Sequence, residues 1–410
     1  MIKSDLNDKC IILTTVSFPY GNAETWLETE ILFLAKSFKK VIVIPYKTEG
    51  KLRAVPSNVI LVKDFKSKFI LNILRFFSSI KRCGFLIRLM AIDKNITFLV
   101  LQFWWALTAS AWYKRIENLL KKETFKDVII YSQWFNGCAT ALALLKSKYP
   151  NVKTIVKCHG WDVYEDRLKI DFYPFRKQTI EKVDKVFAIS DDGNSHLASI
   201  YPSFKQKIET IKLGVFDHGF CNKKNDFNVL KIVSCSYLNN TKRIHLIIDA
   251  LSYFNNTNYN IEWHHIGGGE LQKTLESYAK EKLNNEGVTY KFLGNLKNEE
   301  IRELYANNFF DMFLNVSSSE GIPVSIMEAQ SAGIPVIATN VGGTGEIVNN
   351  QNGLLLDKDF KPYDLYKIIA SVIDAQEDWI KKRSLSRKHW ATYFNAEKNY
   401  KKFIEKINLL

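Results

Sequence analysis

The segment from Ser317 to Val348, SSSEGIPVSIMEAQSAGIPVIATNVGGTGEIV, carries the residue types and spacing best suited to chemistry. A strand is predicted to lead into it. Pro323 suits the first turn of the helix that follows, because the N–H that proline lacks would be unpaired there, and Gly333 is expected to end that helix. Unpaired amides at a helix start and the helix dipole attract anions. The segment therefore predicts an anion site that a diphosphate would fit.

Two carboxylates accompany these amides. Glu320 lies on the loop before the predicted helix, and Glu328 follows eight residues later, inside it. Beside an anion site, a carboxylate is useful as an acceptor for hydroxyl groups, which sugars and riboses present. The exposed amides are expected around Gly321, Val324 and Ser325. The five residues together predict a site for a ligand that carries both phosphate and hydroxyl groups.

Short β-branched runs alternate with helical stretches along the chain, which predicts the parallel sheets of an α/β protein. The pattern weakens over 221–229, as is typical of a linker. We therefore expect two Rossmann-like, doubly wound domains over 1–220 and 230–385, and a terminal helix over 386–410. Such sheets bind ligands outside the carboxyl ends of their strands, so the active site is expected in a cleft that the two domains face. Strands are predicted at 10–18, 40–46, 127–133, 154–160, 185–190, 208–214, 231–238, 261–269, 289–294, 311–317 and 334–339.

The composition excludes several classes of protein. With 410 residues, 46% apolar and 24% charged, the chain has the make-up of a globular protein of two or three domains, not of a disordered or fibrous one. Its net charge of +14 suits anionic partners. Six cysteines without metal-ligand spacing indicate free thiols, and the opening residues lack a signal-peptide pattern. Both observations favour a cytoplasmic protein.

One region interrupts the alternation of strands and helices. Residues 63–122 contain twelve Lys or Arg against three Asp or Glu, and 96–112 within them carry no charge. A buried crossover helix, a surface that rests on anionic lipid, and a membrane-spanning helix are the alternatives. Spanning is disfavoured, because seventeen residues interrupted by Thr, Gln and Ser are at the short limit for a bilayer.

The segment 317–348 resembles the motif of retaining glycosyltransferases of family 4, which have the GT-B fold. That motif has a Glu, seven residues that begin GxP, a second Glu, and then GxPVIAT followed by GG and Glu. The runs FPYGNAETWLETEI, CHGWDVY, IGGGE and FLGNL resemble further family segments and occur in the expected order. The resemblance covers nearly the whole chain apart from 63–122. It implies a GT-B fold in which residues 1–220 bind the acceptor, residues 230–385 bind the nucleotide sugar, and the C-terminal helix crosses back to the first domain.

The resemblance also implies roles for single residues. Glu320 would contact hydroxyls of the donor sugar, and Glu328 the ribose diol. His159 would lie beside the donor sugar as a positioning group, although a buried structural histidine is the alternative. Gly21 would lie near the phosphates and the acceptor. The amides implied to bind sugar and diphosphate are those of Gly321, Ile322, Val324 and Ser325.

Two positions depart from the family pattern. Tyr237 stands where an Arg is usual, while Lys242 keeps the family's Lys. We hypothesise that Lys242, with Arg243 compensating, neutralises the diphosphate leaving group. Asn22 replaces the second Gly of the opening loop, which restricts how closely that backbone can approach a phosphate.

The reaction implied by the resemblance is transfer of a sugar from a nucleotide-diphosphate sugar, with retention and by same-face attack, without a protein nucleophile. No DxD triplet is present, so neither a metal nor another cofactor is expected. The expected partners are a lipid-linked or other glycan acceptor and an anionic membrane surface, at the inner face of the plasma membrane. A soluble acceptor or a GT-B sugar-nucleotide epimerase are the alternatives. A nicotinamide dehydrogenase is disfavoured because IGGGELQK lacks the last Gly of GxGxxG, and nucleic-acid binding because no reading module is present.

Overall fold

The computed structural model describes residues 9–62, 96–122, 127–165, 173–223, 228–255, 257–283 and 287–410. The chain divides into two compact units. The first comprises Met1–Lys212 together with Tyr400–Leu410, and the second comprises Leu213–Asn399. Each unit is an α/β structure built on one parallel sheet.

The first unit contains a seven-stranded sheet with the strand order β3-β2-β1-β4-β5-β6-β7, in which every pair is parallel. Elements are numbered along the described residues. The strands are β1 Cys10–Thr15, β2 Lys40–Pro45, β3 Val59–Leu61, β4 Val128–Ser132, β5 Lys153–Cys158, β6 Lys185–Ala188 and β7 Ile208–Thr210. The helices are α1 Trp26–Ser37, α2 Ile96–Lys122, α3 Gly137–Lys148, α4 Arg176–Lys182 and α5 Asp191–Ile200.

The second unit contains a six-stranded parallel sheet with the order β10-β9-β8-β11-β12-β13. Its strands are β8 Val229–Cys235, β9 Asn260–Ile266, β10 Val288–Phe292, β11 Met312–Asn315, β12 Val336–Thr339 and β13 Gly353–Leu356. Its helices are α6 Ile244–Ser252, α7 Gln272–Lys282, α8 Asn298–Asn307, α9 Val324–Ser331, α10 Thr344–Ile347, α11 Pro362–Asp374 and α12 Gln376–Tyr393.

The strands form where the sequence has continuous apolar, β-branched runs, because parallel strands are covered on both faces. In β1, alternate residues belong to two separate cores: Ile12 to one, and Ile11 and Leu13 to the other. The expected doubly wound sheets are therefore confirmed in both units. Two short edge strands, β3 and β13, were not among the predicted strands.

In each sheet, successive strands are added towards one edge up to a certain strand and towards the opposite edge after it, so the winding reverses at one place. In the first unit, β1 and β4 are neighbours at that point, and in the second unit the equivalent neighbours are β8 and β11. Loops that leave two such strands diverge to opposite faces, which opens a crevice at the carboxyl ends where ligands bind. The topology thus singles out one location in each unit.

The aromatic-rich stretch predicted as one terminal helix is two helices. Helix α12 ends at Tyr393, and α13 follows over Ala396–Asn408. The break lies at Asn395, whose side chain accepts the N–H of Lys398 and whose backbone forms a bridge with Val215. In a continuous helix the Lys398 N–H would bond a backbone carbonyl one turn earlier, and at the start of α13 the Asn395 side chain accepts it instead.

The end of α13 belongs to the first unit, which confirms the predicted return of the C-terminal helix. Phe403 and Ile407 pack in the same core as Ile11. Beneath them lies an ion pair without any solvent exposure, in which Lys157 Nζ is 2.8 Å from Glu30 Oε2. The Phe403 ring centroid is 4.2 Å from the same ammonium. A buried ammonium needs such partners to keep its charge.

Helix α2 contains the uncharged stretch 96–112. Its residues Ala109, Trp112, Tyr113 and Ile116 are buried in a core of the first unit, together with residues of β1 and α3. Within the described ranges, no helix is long and apolar enough to span a membrane. In the uncharged stretch itself, Val100 and Trp104 are exposed, so the buried-crossover alternative is supported only for its second half, from Ala106 onward. The basic stretch 63–95 and Cys83 lie outside the described residues.

Candidate active site

An ion pair marks the winding reversal of the second unit. Lys242 follows β8, and its Nζ lies 2.6 Å from Oε1 of Glu320, which follows β11. The Nδ2 of Asn315, the last residue of β11, donates to the same oxygen at 3.1 Å. Glu320 is only 8% exposed. The structure thus brings together Glu320, predicted to contact the donor-sugar hydroxyls, and Lys242, predicted to neutralise the diphosphate.

Arg243 fixes the loop that carries this pair. Its backbone is left-handed, with φ of +50°, and its guanidinium donates to the carbonyls of Val316 at 2.7 Å, Ser317 at 3.3 Å and Lys358 at 2.8 Å. These carbonyls lie between the end of β11 and Glu320 or in the loop after β13. Arg243 therefore holds the loop of Lys242 against the loop of Glu320.

Helix α9 begins directly after the GIP sequence. Pro323 occupies the position before the first helical residue, not the first turn as predicted, and it offers no side-chain cap. The first amides of α9, from Val324 and Ser325, have no partner inside the helix. Gly333, with φ of +72°, follows the helix end as expected. The helix start thus presents amides a few residues after Glu320.

The GG pair stabilises the loop that holds Gly321 and Ile322. The Gly343 N–H donates to the Gly321 carbonyl at 2.8 Å. A Cβ at Gly343 would lie 2.2 Å from Ile322 Cδ1 and 2.8 Å from Gly321 O, so only glycine fits there. Gly342 has φ of +55°, which also favours glycine. Glu346 lies in the first turn of the following helix, α10.

Glu328 lies one turn inside α9 and is half-buried. Burial and then the negative charge of Glu328 raise the pKa of Cys235, the last residue of β8. The Glu328 carboxylate is therefore close enough to Cys235, at the carboxyl end of β8, to interact with it electrostatically. Tyr237, two residues beyond β8, is 52% exposed.

His159 and Gly21 belong to the first unit. His159 follows β5, and its ring packs against Trp134 at 4.5 Å and Trp26 at 5.1 Å between centroids. Burial, with the nearby positive charge of Lys157, holds the pKa of His159 well below its usual value. The imidazole is therefore neutral near pH 7. It can donate or accept a hydrogen bond but cannot supply positive charge.

Asp162 anchors the turn after His159, although the sequence analysis assigned it no role. Its carboxylate accepts the N–H of His159 and, at 2.6 Å, that of Phe135 in the loop after β4. Arg176 donates to the Asp162 carbonyl at 2.7 Å. Burial raises the pKa of Asp162 to about 7, because desolvation outweighs Arg176 and the N–H donors.

Glu24 is a second residue that the sequence analysis did not identify. It is buried, with φ of +54°. Its carboxylate accepts three successive N–H groups from the loop after β1, at 3.0, 2.7 and 2.8 Å, and the Trp134 Nε1–H at 2.6 Å. In the same loop, Gly21 has φ of +62° and donates to Lys51 O at 3.0 Å, while Asn22 is exposed. Glu24 thus fixes the opening loop and the indole beside His159.

Unsatisfied polar atoms collect around His159. Within the described part of the chain, four buried side-chain atoms there have no hydrogen-bond partner: Ser17 Oγ, Trp26 Nε1, Gln133 Oε1 and His159 Nδ1. Buried polar atoms are normally paired, so such a group of exceptions is typical of a functional region. Over the described ranges, no three His, Cys, Asp or Glu form a metal-binding group.

Comparisons with known proteins agree with this geometry. A family model described as glycosyl transferases group 1 matches residues 222–389, and a second, described as glycosyltransferase family 4, matches residues 91–217. The chain is 28% identical over 266 residues to the O-antigen biosynthesis glycosyltransferase WbnH of Escherichia coli, an alignment that covers 62% of this chain and 72% of WbnH.

Solved structures show the same architecture. A glycosyltransferase from Rickettsia africae superposes with a TM-score of 0.66 at 19% identity, covering 98% of each chain. Alr3699/HepE of Anabaena, crystallised with UDP, superposes with a TM-score of 0.66 at 17% identity, covering 98% of this chain and 100% of its own. The predicted fold class, GT-B with two parallel-sheet units, is therefore confirmed, and the chain resembles glycosyltransferases in both units.

The raised pKa of Asp162 predicts a pH effect on stability. Between its ordinary pKa of 3.8 and its folded pKa of about 7, the folded protein binds this proton more tightly than the unfolded chain does. Raising the pH through this window therefore removes stability. His159, whose pKa is lowered, acts in the opposite direction up to its ordinary pKa of 6.5. Relative to Asp162→Asn, the wild type should lose free energy of unfolding between pH 5 and pH 8, as measured by urea denaturation. If the free energy of unfolding of the wild type changes with pH in parallel with that of Asp162→Asn, the raised pKa of Asp162 is contradicted. The control is Glu49→Gln, which removes an exposed carboxylate and should follow the wild type.

Proposed function

We propose that the protein transfers a sugar with retention of configuration from a nucleotide-diphosphate sugar to a glycan acceptor in surface polysaccharide biosynthesis. The observation that carries this proposal is the Lys242–Glu320 ion pair at the winding reversal of the second unit, directly before the open amides of α9. A cation and helix amides suit a diphosphate, and a nearly buried carboxylate suits sugar hydroxyls. The relative WbnH, named for O-antigen biosynthesis, supports the polysaccharide context.

Each donor-site residue receives a specific part in this proposal. The amides of Gly321, Ile322, Val324 and Ser325 bind the sugar and the diphosphate. Glu320 accepts hydroxyls of the donor sugar, and Glu328, near the end of β8, accepts the ribose diol. Arg243 acts indirectly, because its guanidinium already bonds three carbonyls of the surrounding loops.

Lys242 is proposed to stabilise the leaving group. Its ammonium has three N–H donors, so it can keep one bond to Glu320 and direct another to a phosphate oxygen. As the bond between the anomeric carbon and the phosphate oxygen breaks, negative charge grows on the diphosphate, and a fixed cation lowers the energy of that state. His159 is neutral, so its proposed part is to orient the donor sugar by hydrogen bonding. Gly21 is proposed to lie near the phosphates and the acceptor.

The acceptor is proposed to be lipid-linked, and the protein to act in the cytoplasm on the inner face of the plasma membrane. The support is the charge of residues 63–122, with twelve Lys or Arg against three acidic residues, next to the uncharged start of α2. Basic residues beside apolar side chains bind anionic lipid surfaces.

The proposed function predicts nucleoside diphosphate release that depends on both a nucleotide sugar and a glycan acceptor. Donors are found by thermal shift over uridine, guanosine and adenosine diphosphate sugars, and retention is checked by NMR of the product's anomeric proton. Glu320→Gln and Lys242→Gln should each lower kcat by about 10²-fold or more, because each removes an electrostatic contact to the reacting groups.

The matched controls for these variants are Glu299→Gln and Lys273→Gln, at exposed positions of the same unit. Both should retain wild-type turnover, and all four variants should melt within a few degrees of the wild type. A large melting loss in Glu320→Gln with unchanged turnover per folded molecule would assign the ion pair a structural role. If the protein converts the donor to an epimer in the absence of acceptor, its reaction is isomerisation and not sugar transfer.

Metal independence is a separate prediction. If Lys242 and the α9 amides supply the countercharge for the diphosphate, turnover after treatment with EDTA should equal that of the untreated enzyme. Initial rates are compared with EDTA, and with EDTA followed by excess Mg²⁺ or Mn²⁺. Loss of activity that only the added metal restores would contradict this part of the proposal.

Membrane contact is tested by flotation with vesicles. At low salt, the protein should float with vesicles that contain anionic phospholipid but not with purely zwitterionic vesicles. Moderate salt should release it, because the Debye length shortens to about 8 Å at 0.15 M. Failure to float with anionic vesicles at low salt would refute the proposed membrane surface while leaving sugar transfer untouched.

A further inference from the structure

A cavity of about 340 Å³ lies at the winding reversal of the first unit. Its walls come from the carboxyl ends of β1 and β4, the loops that follow β2, β4 and β5, and one side of α2. This is the place in the first sheet that corresponds to the Lys242–Glu320 pair in the second. Small-molecule sites of roughly 300–1,000 Å³ are commonly found at such positions.

Two indole rings form one corner of the cavity. The centroids of Trp134 and Trp161 are 5.2 Å apart, with 41° between the ring planes. Trp134 cannot turn freely, because its Nε1–H is bonded to the buried Glu24 carboxylate. Aromatic faces held in this manner suit the apolar face of a flat, rigid ligand, because little entropy is lost on binding.

Three hydroxyl-bearing side chains line another part of the wall, and each hydroxyl already donates its proton to a backbone carbonyl. Thr15 donates to the Phe18 carbonyl at 2.7 Å, Ser132 to the Trp134 carbonyl at 2.8 Å, and Thr108 to the Trp104 carbonyl at 3.0 Å. A hydroxyl that donates its only proton to the backbone can still accept one from a ligand. Thr15 and Ser132 are 2% and 0% exposed, whereas Thr108 is half-buried, so the Thr108 hydroxyl is the one of the three that can accept a proton from a ligand.

One cation, Lys47, lies at the rim. It follows β2, is exposed, and its backbone N–H donates to Val16 O at 2.7 Å. Across the residues that the structure describes, no carboxylate pairs with its ammonium. An anionic group on the ligand would therefore find a cation at the mouth, next to the aromatic corner.

We infer that this cavity binds a sugar ring of the acceptor that carries an anionic group. The ring packs against Trp134 and Trp161, one of its hydroxyls donates to Thr108, and its phosphate or carboxylate faces Lys47. This inference rests on the proposed function, which it deepens by naming the chemistry of the acceptor.

The test is calorimetric titration of the full-length protein with sugars that differ only in charge. The probes are the 1-phosphates, the uronic acids and the neutral methyl glycosides of glucose and galactose, at one low ionic strength. At least one anionic sugar should bind about two- to fivefold more tightly than its neutral partner, as expected of an exposed charge pair. The phosphate and uronate arms identify which anion the acceptor carries.

Variants assign the binding to the cavity. Lys47→Gln should abolish the preference for the anionic sugar while leaving the neutral glycoside unaffected, and Lys51→Gln, at an exposed lysine outside the cavity, should behave as the wild type. Trp161→Ala should weaken both kinds of sugar by about tenfold, as loss of an aromatic anchor does. Trp161→Phe keeps an aromatic ring and should recover most of the lost affinity. This recovery would show that Trp161→Ala weakens binding by removing a contact with the sugar and not by misfolding.

Three results overturn the inference: no anionic sugar of the panel binds, Lys47→Gln keeps the charge preference, or Trp161→Ala binds as the wild type does. Nucleotide-sugar binding, followed by thermal shift on the same samples, separates this failure from failure of the proposed function. A protein that binds nucleotide sugars but none of the acceptor sugars loses only the cavity assignment. A protein that binds no nucleotide sugar loses the proposed function.

Discussion

The ion pair between Lys242 and Glu320 can exist only because two loops far apart in the chain leave neighbouring strands of one sheet. Lys242 follows β8 and Glu320 follows β11, and these two strands pair directly although residues 236–311 lie between them in the chain. Arg243 then bonds the carbonyls around Val316 and Ser317 so that the two loops cannot separate. A cation and a carboxylate held by such means need no reorganisation when charge develops nearby, which is the basis of electrostatic catalysis.

The first unit achieves rigidity by a different route. Glu24 and Asp162 are buried acids whose oxygens accept backbone N–H groups of the loops after β1, β4 and β5. Each acid satisfies several amides that would otherwise be unpaired in a buried loop. Trp134 is held by Glu24 through a hydrogen bond, and His159 packs against its ring. The same indole also lines the cavity of the first unit, so the surroundings of His159 and the cavity wall are connected.

The sequence predicted most strands because buried parallel strands are continuous apolar runs, such as CIILTT in β1. It missed β13, whose GLLL sequence follows an Asn-rich turn and contains no β-branched residue. Lys242, Glu320 and Glu328 could be selected as candidate site residues because they lie in or beside short motifs with a recognisable spacing, and their roles stay predictions. Glu24 could not, since its partner Trp134 is 110 residues away in the chain. Nothing local in the sequence distinguishes an acid that bonds a distant indole from one that faces water.

Helix α13 returns to the first unit from a distant part of the chain, and this connectivity affects the order in which the two units fold during synthesis. The second unit is one continuous segment, Leu213–Asn399, whereas the first is completed by Tyr400–Leu410. Until Tyr400–Leu410 leave the ribosome, the ammonium of Lys157 lacks the Phe403 ring above it, and Ile11 lacks Phe403 and Ile407 as core neighbours. The half of the molecule that is translated first is therefore the half that matures last. Its final layer arrives only after the other half has been made in full.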